Sequence, residues 1–158
     1  EIGSGLVGSE MCIRDRCAQE LLKLTPDFDY ILTPEAKSIP LAYEMSRLSG
    51  KKYIVIRKSV KVYMDQPIEI SESSITTKGR QSLYLGHEDG DQLKGKRVLI
   101  VDDVISTGES LAACKKVADA FGAQVAACCA PLAEGDAANR DDIIFLETLP
   151  LFFKSNKF

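Results

Sequence analysis

The 158-residue sequence has no surplus of basic residues, no long apolar run and a single histidine, and each shortage narrows what the protein can be. Its 20 Lys and Arg are outnumbered by 23 Asp and Glu, for a formal net charge of −3. That balance gives no electrostatic footprint for general nucleic-acid binding. No apolar stretch approaches the roughly 20 residues needed to span a bilayer as a helix. The only histidine, His87, cannot form a histidine pair for a metal, and it lies in the polar turn GHEDGD, where an exposed loop position is expected. Cys12, Cys17, Cys114, Cys128 and Cys129 are odd in number and show neither CxxC nor Cys/His metal spacing. They fit a reducing cytosol, with Cys128 and Cys129 expected to pack as small core residues. Repeats and Pro/Ser-rich linkers are missing too, so one domain is expected.

The N-terminal stretch is of another kind. GLVGSEMCIRDR, residues 5–16, resembles a translated sequencing-adaptor artefact of the sort fused to the ends of unrelated proteins. Residues 1–16 are therefore expected to be artefactual or disordered, and residues 17–158 to form the domain. GSGLVG, Gly3 to Gly8, satisfies the GxGxxG spacing of dinucleotide-binding turns. No strand precedes it, and that motif has meaning only between a strand and a helix.

From Cys17 onward, helical and extended patterns alternate. CAQELLKL suits the end of a helix, DYILT a short strand ending at Thr33, and SIPLAYEMSRLSG a helix with Gly50 as its C-cap. KYIVIR is a buried strand. IEISESSITT and RQSLYLG alternate apolar and polar residues, as the two antiparallel strands of a projecting ribbon would. KRVLIVDD, ESLAACKKVADAFG, AQVAACCAPLA and DDIIFLETLP then give strand, helix, strand and strand. The pattern predicts an α/β fold with a mainly parallel central sheet flanked by helices.

In such sheets, ligands bind beyond the carboxyl ends of the strands. Three segments share that rim: TPEAKS, RKSVK and DDVISTGES. Lys37, Arg57, Lys58 and Lys61 bring positive charge, Asp102 and Asp103 negative charge, and residues Ser106 to Ser110 hydroxyls and backbone N–H groups. Gly108 permits close backbone approach, and a helix starting near Glu109 would aim its N-terminus at an anion. A phosphate suits that loop. The paired acids would repel phosphate oxygens, so vicinal hydroxyls or a divalent cation suit them better. A sugar phosphate with free 2- and 3-hydroxyls meets both demands. An acid pair after an apolar strand also occurs in response-regulator receivers, but there it ends the first strand, and here the next strand, QVAACCAP, carries no phosphoacceptor Asp.

VLIVDDVISTGES, residues Val98 to Ser110, resembles the phosphoribosyl-pyrophosphate (PRPP) signature of type I phosphoribosyltransferases. The similarity runs from about Tyr30 to Pro150, and EAKSIPLAYEMS, YIVIRKSVK and SLYL look most like the adenine and xanthine branch. The resemblance implies the type I phosphoribosyltransferase fold with a flexible antiparallel ribbon. It implies Asp102 and Asp103 on the ribose hydroxyls, Ser106, Thr107, Gly108, Glu109 and Ser110 around the 5-phosphate, and Ala36, Lys37 and Ser38 as a pyrophosphate loop, often with a non-proline cis peptide. Arg57 and Lys58 would help hold the diphosphate, and Lys78 and Arg80 on the ribbon would meet it on closure. Ser38 stands where many relatives have glycine, and the glutamate of adenine enzymes has no match in SITTKGRQ. The purine-gripping hood of this branch would lie largely upstream of Cys17.

The implied reaction transfers 5-phosphoribosyl from PRPP to a purine, adenine favoured, and releases pyrophosphate. The implied setting is a cytoplasmic homodimer in purine salvage, with Mg²⁺ held mainly by PRPP and by Asp102 and Asp103 in part. No membrane partner is implied. The alternatives are a xanthine-specific enzyme and a PRPP-binding transcriptional regulator that has lost catalysis, in which a further N-terminal domain would supply nucleic-acid binding.

Overall fold

The structure, a computed structural model, describes the backbone of residues 3–71 and 82–150 and the side chains of residues 13–70 and 82–150. In chain order the elements are α1 (Gly3–Leu24), β1 (Tyr30–Pro34), α2 (Ile39–Ser49), β2 (Lys52–Ile56), β3 (Ile68–Ser71), β4 (Ser82–Leu85), α3 (His87–Asp91), β5 (Arg97–Val101), β6 (Val104–Ile105), α4 (Glu109–Ala120), β7 (Gln124–Glu134) and β8 (Ile144–Leu149). GSGLVG is itself helical, the first residues of α1, so it forms no dinucleotide-binding turn. No helix among the described residues is long and apolar enough to cross a membrane.

The main sheet is parallel throughout, in the order β2-β1-β5-β7, with β8 on the far edge of β7 and β6 running beside β7 beyond the end of β5. β5 explains this arrangement. Val98, Leu99, Ile100 and Val101 are all fully buried, so the strand needs cover on both faces. Alternation sends Val98 and Ile100 toward Leu111, Cys114 and Val117 of α4. Leu99 and Val101 face the other way, with Leu21 of α1 and Leu41, Ala42 and Met45 of α2. Gly50 ends α2 in the left-handed region, φ 71°, and its N–H donates to Ser46 O at 2.9 Å. At the opposite rim from the loops of interest, Arg97 binds Asp29 and Asp27, which pins the start of β5 to the start of β1.

β3 and β4 pair antiparallel, Ile68 with Leu85 and Ser71 with Ser82, giving the expected ribbon. Its base is part of the core, because Leu83 and Leu85 are buried. Arg57 and Tyr84 exchange backbone hydrogen bonds of 2.9 and 2.8 Å, joining the end of β2 to the ribbon. His87 departs from the sequence reading. The polar turn is the helix α3, and the half-buried His87 ring meets Phe121 edge-on at 6.2 Å between centroids.

Gly90 makes that contact possible, since a Cβ there would lie 2.0 Å from Phe121 Cε1. Gly90→Ala is expected to destabilise the fold by about 1–3 kcal/mol through overpacking. Urea unfolding checks this, and trimming the ring with Phe121→Leu in the same chain should recover part of the loss.

Candidate active site

The rim is set by strand register. Pro34 lies beside Ile56, and Val101 follows Ile100, the partner of Leu32. The residues that leave the sheet together are therefore Glu35, Arg57 and the pair Asp102–Asp103. A buried hydrogen-bond chain fixes the first and third to each other. Thr33 Oγ1 lies 2.8 Å from both Val101 O and Ser38 Oγ, with one proton to donate between them, and the Ser38 hydroxyl donates to Pro34 O at 2.8 Å. Ser38 is thus turned inward, only 1% exposed. Its hydroxyl holds the loop's shape, and what it can offer a ligand is its backbone N–H.

The acids stand where the ladder of β5 breaks. Val101 is opposite Cys129, and pairing resumes at Val104 opposite Leu132. Pro131, in the gap, has no N–H to give the sheet. Asp102 N–H donates to Cys129 O at 3.0 Å, and Asp103 N–H donates to Asp102 Oδ1 at 2.8 Å. The Asp102 side chain is 7% exposed, and its carboxyl is pushed up to about 6. Burial is the main cause, and the hydrogen bond that the protonated Asp102 carboxyl donates to the neighbouring Asp103 carboxylate adds to it. The Asp103 N–H and the Ser110 hydroxyl pull the other way.

Asp102 shares a small cavity, about 50 Å³, with Val104, Ile105, Ser106, Thr107, Gly108, Ser110 and Leu111. Gly108, at φ 83°, precedes the first turn of α4, and Ser106, Thr107, Glu109 and Ser110 are exposed around it. Asp102 and the hydroxyl loop therefore border one concavity at a helix N-terminus, with Asp103 next in the chain, a setting suited to an anion beside a hydroxyl-rich group. Glycine is required twice over at 108. A side chain would be strained, and its Cβ would lie 2.3 Å from Arg140 Nη1.

The cationic edge lies across the rim. Ala36 and Lys37 are exposed on the turn after β1, whose Glu35–Ala36 peptide is cis. Lys58 is exposed and Arg57 half-buried. Lys78 and Arg80 lie outside the described residues. Two groups escaped the sequence reading. Glu35 accepts the Lys58 N–H and pairs with Arg57 and Lys61. Arg140, in the segment between β7 and β8, binds Asp142 through Nε and Nη2 at 2.8 and 2.7 Å and leans over Gly108. The interleaving of acids with bases in TPEAKS and RKSVK was the available signal for Glu35. Nothing local marked Arg140.

Among the described residues, no group of three or more His, Cys, Asp or Glu is arranged to hold a metal. Two hard carboxylates beside a hydroxyl-rich loop would suit a Mg²⁺ ion whose other oxygens came from a bound ligand and water.

A phosphoribosyl transferase domain model matches residues 10–157. A hypoxanthine/guanine phosphoribosyltransferase of Methanocella arvoryzae is 37% identical over 113 residues, covering 72% of this chain and 56% of that one. One from Methanosalsum zhilinae is 38% identical over 126 residues, covering 78% and 62%. The chain thus spans little more than half the length of such relatives. Among solved structures, adenine phosphoribosyltransferase of Thermoanaerobacter pseudethanolicus superposes with a TM-score of 0.74 at 22% identity, over 90% of this chain and 82% of that one. The enzyme of Giardia lamblia complexed with 9-deazaadenine gives 0.73 at 14% identity, over 89% and 82%. A family model that takes in nearly the whole length, together with a parallel sheet that ends in this acid pair and hydroxyl loop, makes the chain a member of the phosphoribosyl transferase domain family.

Proposed function

We propose that this chain is the PRPP-binding core of a purine phosphoribosyltransferase, which transfers 5-phosphoribosyl to a purine nitrogen and releases pyrophosphate. The observation that carries the reading is the cavity shared by buried Asp102 and the loop around Gly108. The 5-phosphate takes the N–H groups of residues 106–110 and the N-terminus of α4, with the Ser106, Thr107 and Ser110 hydroxyls around it. Asp102 and Asp103 accept from the ribose hydroxyls and stabilise positive charge that develops on the ring as the bond to the diphosphate lengthens. Lys37, Arg57 and Lys58, with the backbone of Ala36 and Ser38, take the negative charge that gathers on the leaving diphosphate. Lys78 and Arg80 join them from the ribbon, whose closure excludes water as a competing nucleophile. Mg²⁺ bound with PRPP supplies further charge neutralisation on the phosphate oxygens.

For the base, the branch-like motifs favour adenine, whereas the relatives named for hypoxanthine and guanine share 30–38% identity with this chain. The adenine enzymes share the fold at 14–22%. The higher identity puts the 6-oxopurines first. A cytoplasmic homodimer fits the reading, and the exposed Tyr43, Val60, Val62 and Tyr63 offer apolar surface for a second copy.

Replacing both Asp102 and Asp103 by Asn is expected to weaken PRPP binding by about 1.5–3 kcal/mol for each charged-group hydrogen bond lost. Calorimetric titration reads this directly, and unchanged affinity would remove the assignment. Assays with hypoxanthine, guanine, xanthine and adenine should show turnover with the first two. Adenine alone would reverse the order of bases, and PRPP binding with no turnover would turn the reading toward a PRPP-sensing regulator.

The buried acid also sets stability. A carboxyl whose folded-state pKa is raised contributes stability that is complete below its unfolded value and is lost as pH rises through the folded one. For Asp102 that window runs from about 4 to about 6. In ligand-free, metal-free buffer, Asp102→Asn is expected to be more stable than the parent at pH 7, by roughly 3 kcal/mol. The difference should disappear near pH 4, as read by urea unfolding at both pH values.

A further inference from the structure

Glu35 is a carboxylate set among the cations of the diphosphate edge. Its Oε1 is 3.3 Å from Arg57 Nη1 and 3.3 Å from Lys61 Nζ, while Oε2 accepts the Lys58 N–H at 3.0 Å. Three residues of the turn after β2 thus converge on one side chain from the turn after β1. The Lys58 N–H is the main influence holding the Glu35 carboxyl below its ordinary range, and Lys61 and Arg57 act in the same sense against partial burial. The Glu35, Arg57 and Lys61 side chains are 20%, 26% and 32% exposed, sheltered enough for the pairing to constrain geometry. Arg57 is held a second way, by its backbone exchange with Tyr84.

Two opposing effects could follow for an arriving diphosphate. The Glu35 charge repels it, and the same charge holds two long, otherwise mobile cationic side chains beside each other. Two cations on one anion leave a net positive charge at the cluster, with Lys37 and Lys58 nearby, so attraction survives while much of the ordering entropy has already been lost. We propose that Glu35 is a positioning residue for the diphosphate end of the ligand, which aligns Arg57 and Lys61 without touching the ligand itself. The inference rests on the phosphoribosyl-transfer reading and extends it to a residue outside the ligand's direct contacts.

The test separates the two ends of PRPP. Inorganic pyrophosphate with Mg²⁺, and ribose 5-phosphate, are titrated in turn into the parent chain, Glu35→Gln and Glu35→Ala. Glutamine keeps an acceptor for the Lys58 N–H and loses the ion pairs. Both variants should bind pyrophosphate about tenfold more weakly, the scale of one charge-assisted hydrogen bond, with ribose 5-phosphate affinity unchanged. In turnover, KM for PRPP should rise by a similar factor while KM for the purine holds. Equal weakening for both ligands would reduce Glu35 to a structural brace, and pyrophosphate binding as tight as the parent's or tighter would make it a bystander or a competitor. Either result overturns the proposal and leaves the phosphoribosyl reading standing. A parent chain that binds neither ligand overturns both.

Discussion

A strand buried on both faces can carry no charged side chain until it leaves the sheet, and β5 obeys that constraint over Val98–Val101. Its chemistry is therefore concentrated in the first residue beyond the barrier. Asp102 is that residue, still 7% exposed, with its carboxyl shifted by the apolar surroundings that precede it. Because every pairing in the main sheet is parallel, the neighbours of β5 reach their own exits on the same side. The site is the common edge of several buried strands.

Placing acids and bases on one edge raises the problem of keeping them from neutralising one another. The structure separates the Asp pair from the cationic cluster by strand. Asp102 turns toward the Gly108 loop, and Arg57 and Lys61 collect around Glu35 where β1 and β2 end. The Thr33, Ser38 and Val101 hydrogen bonds hold the distance between the halves, with no charge among them. The proposed ligand, PRPP, is anionic at both ends and hydroxylated between, which suits it to bridge the two.

What could be read from the sequence follows from how local each signal is. β5, α2 and α4 were legible because their apolar periodicity and the glycine after α2 act within a few residues. The acid pair and the hydroxyl loop were legible because so many polar groups rarely follow such an apolar run. Glu35 was hidden because its partners are 22 to 26 positions away and meet it only through strand register. Ser38 falls in the loop implied to hold pyrophosphate, yet the direction of its hydroxyl depends on Thr33 and, through it, on Val101 far along the chain. His87 was misread for a similar reason. Its segment is polar in composition, and only the approach of Phe121 over Gly90 makes it a packed helix.

The cysteines give the molecule a practical property. Cys114, Cys128 and Cys129 are buried, and burial raises all three thiols, which leaves them almost without thiolate at neutral pH. Of the five in the sequence, the other two, Cys12 and Cys17, both belong to α1. With those two replaced, a cysteine introduced at the exposed Glu69 of β3 would be the one thiol open to a fluorophore or spin label. The natural packing of the core thus leaves the ribbon addressable by covalent labelling while three native sulfurs stay in place.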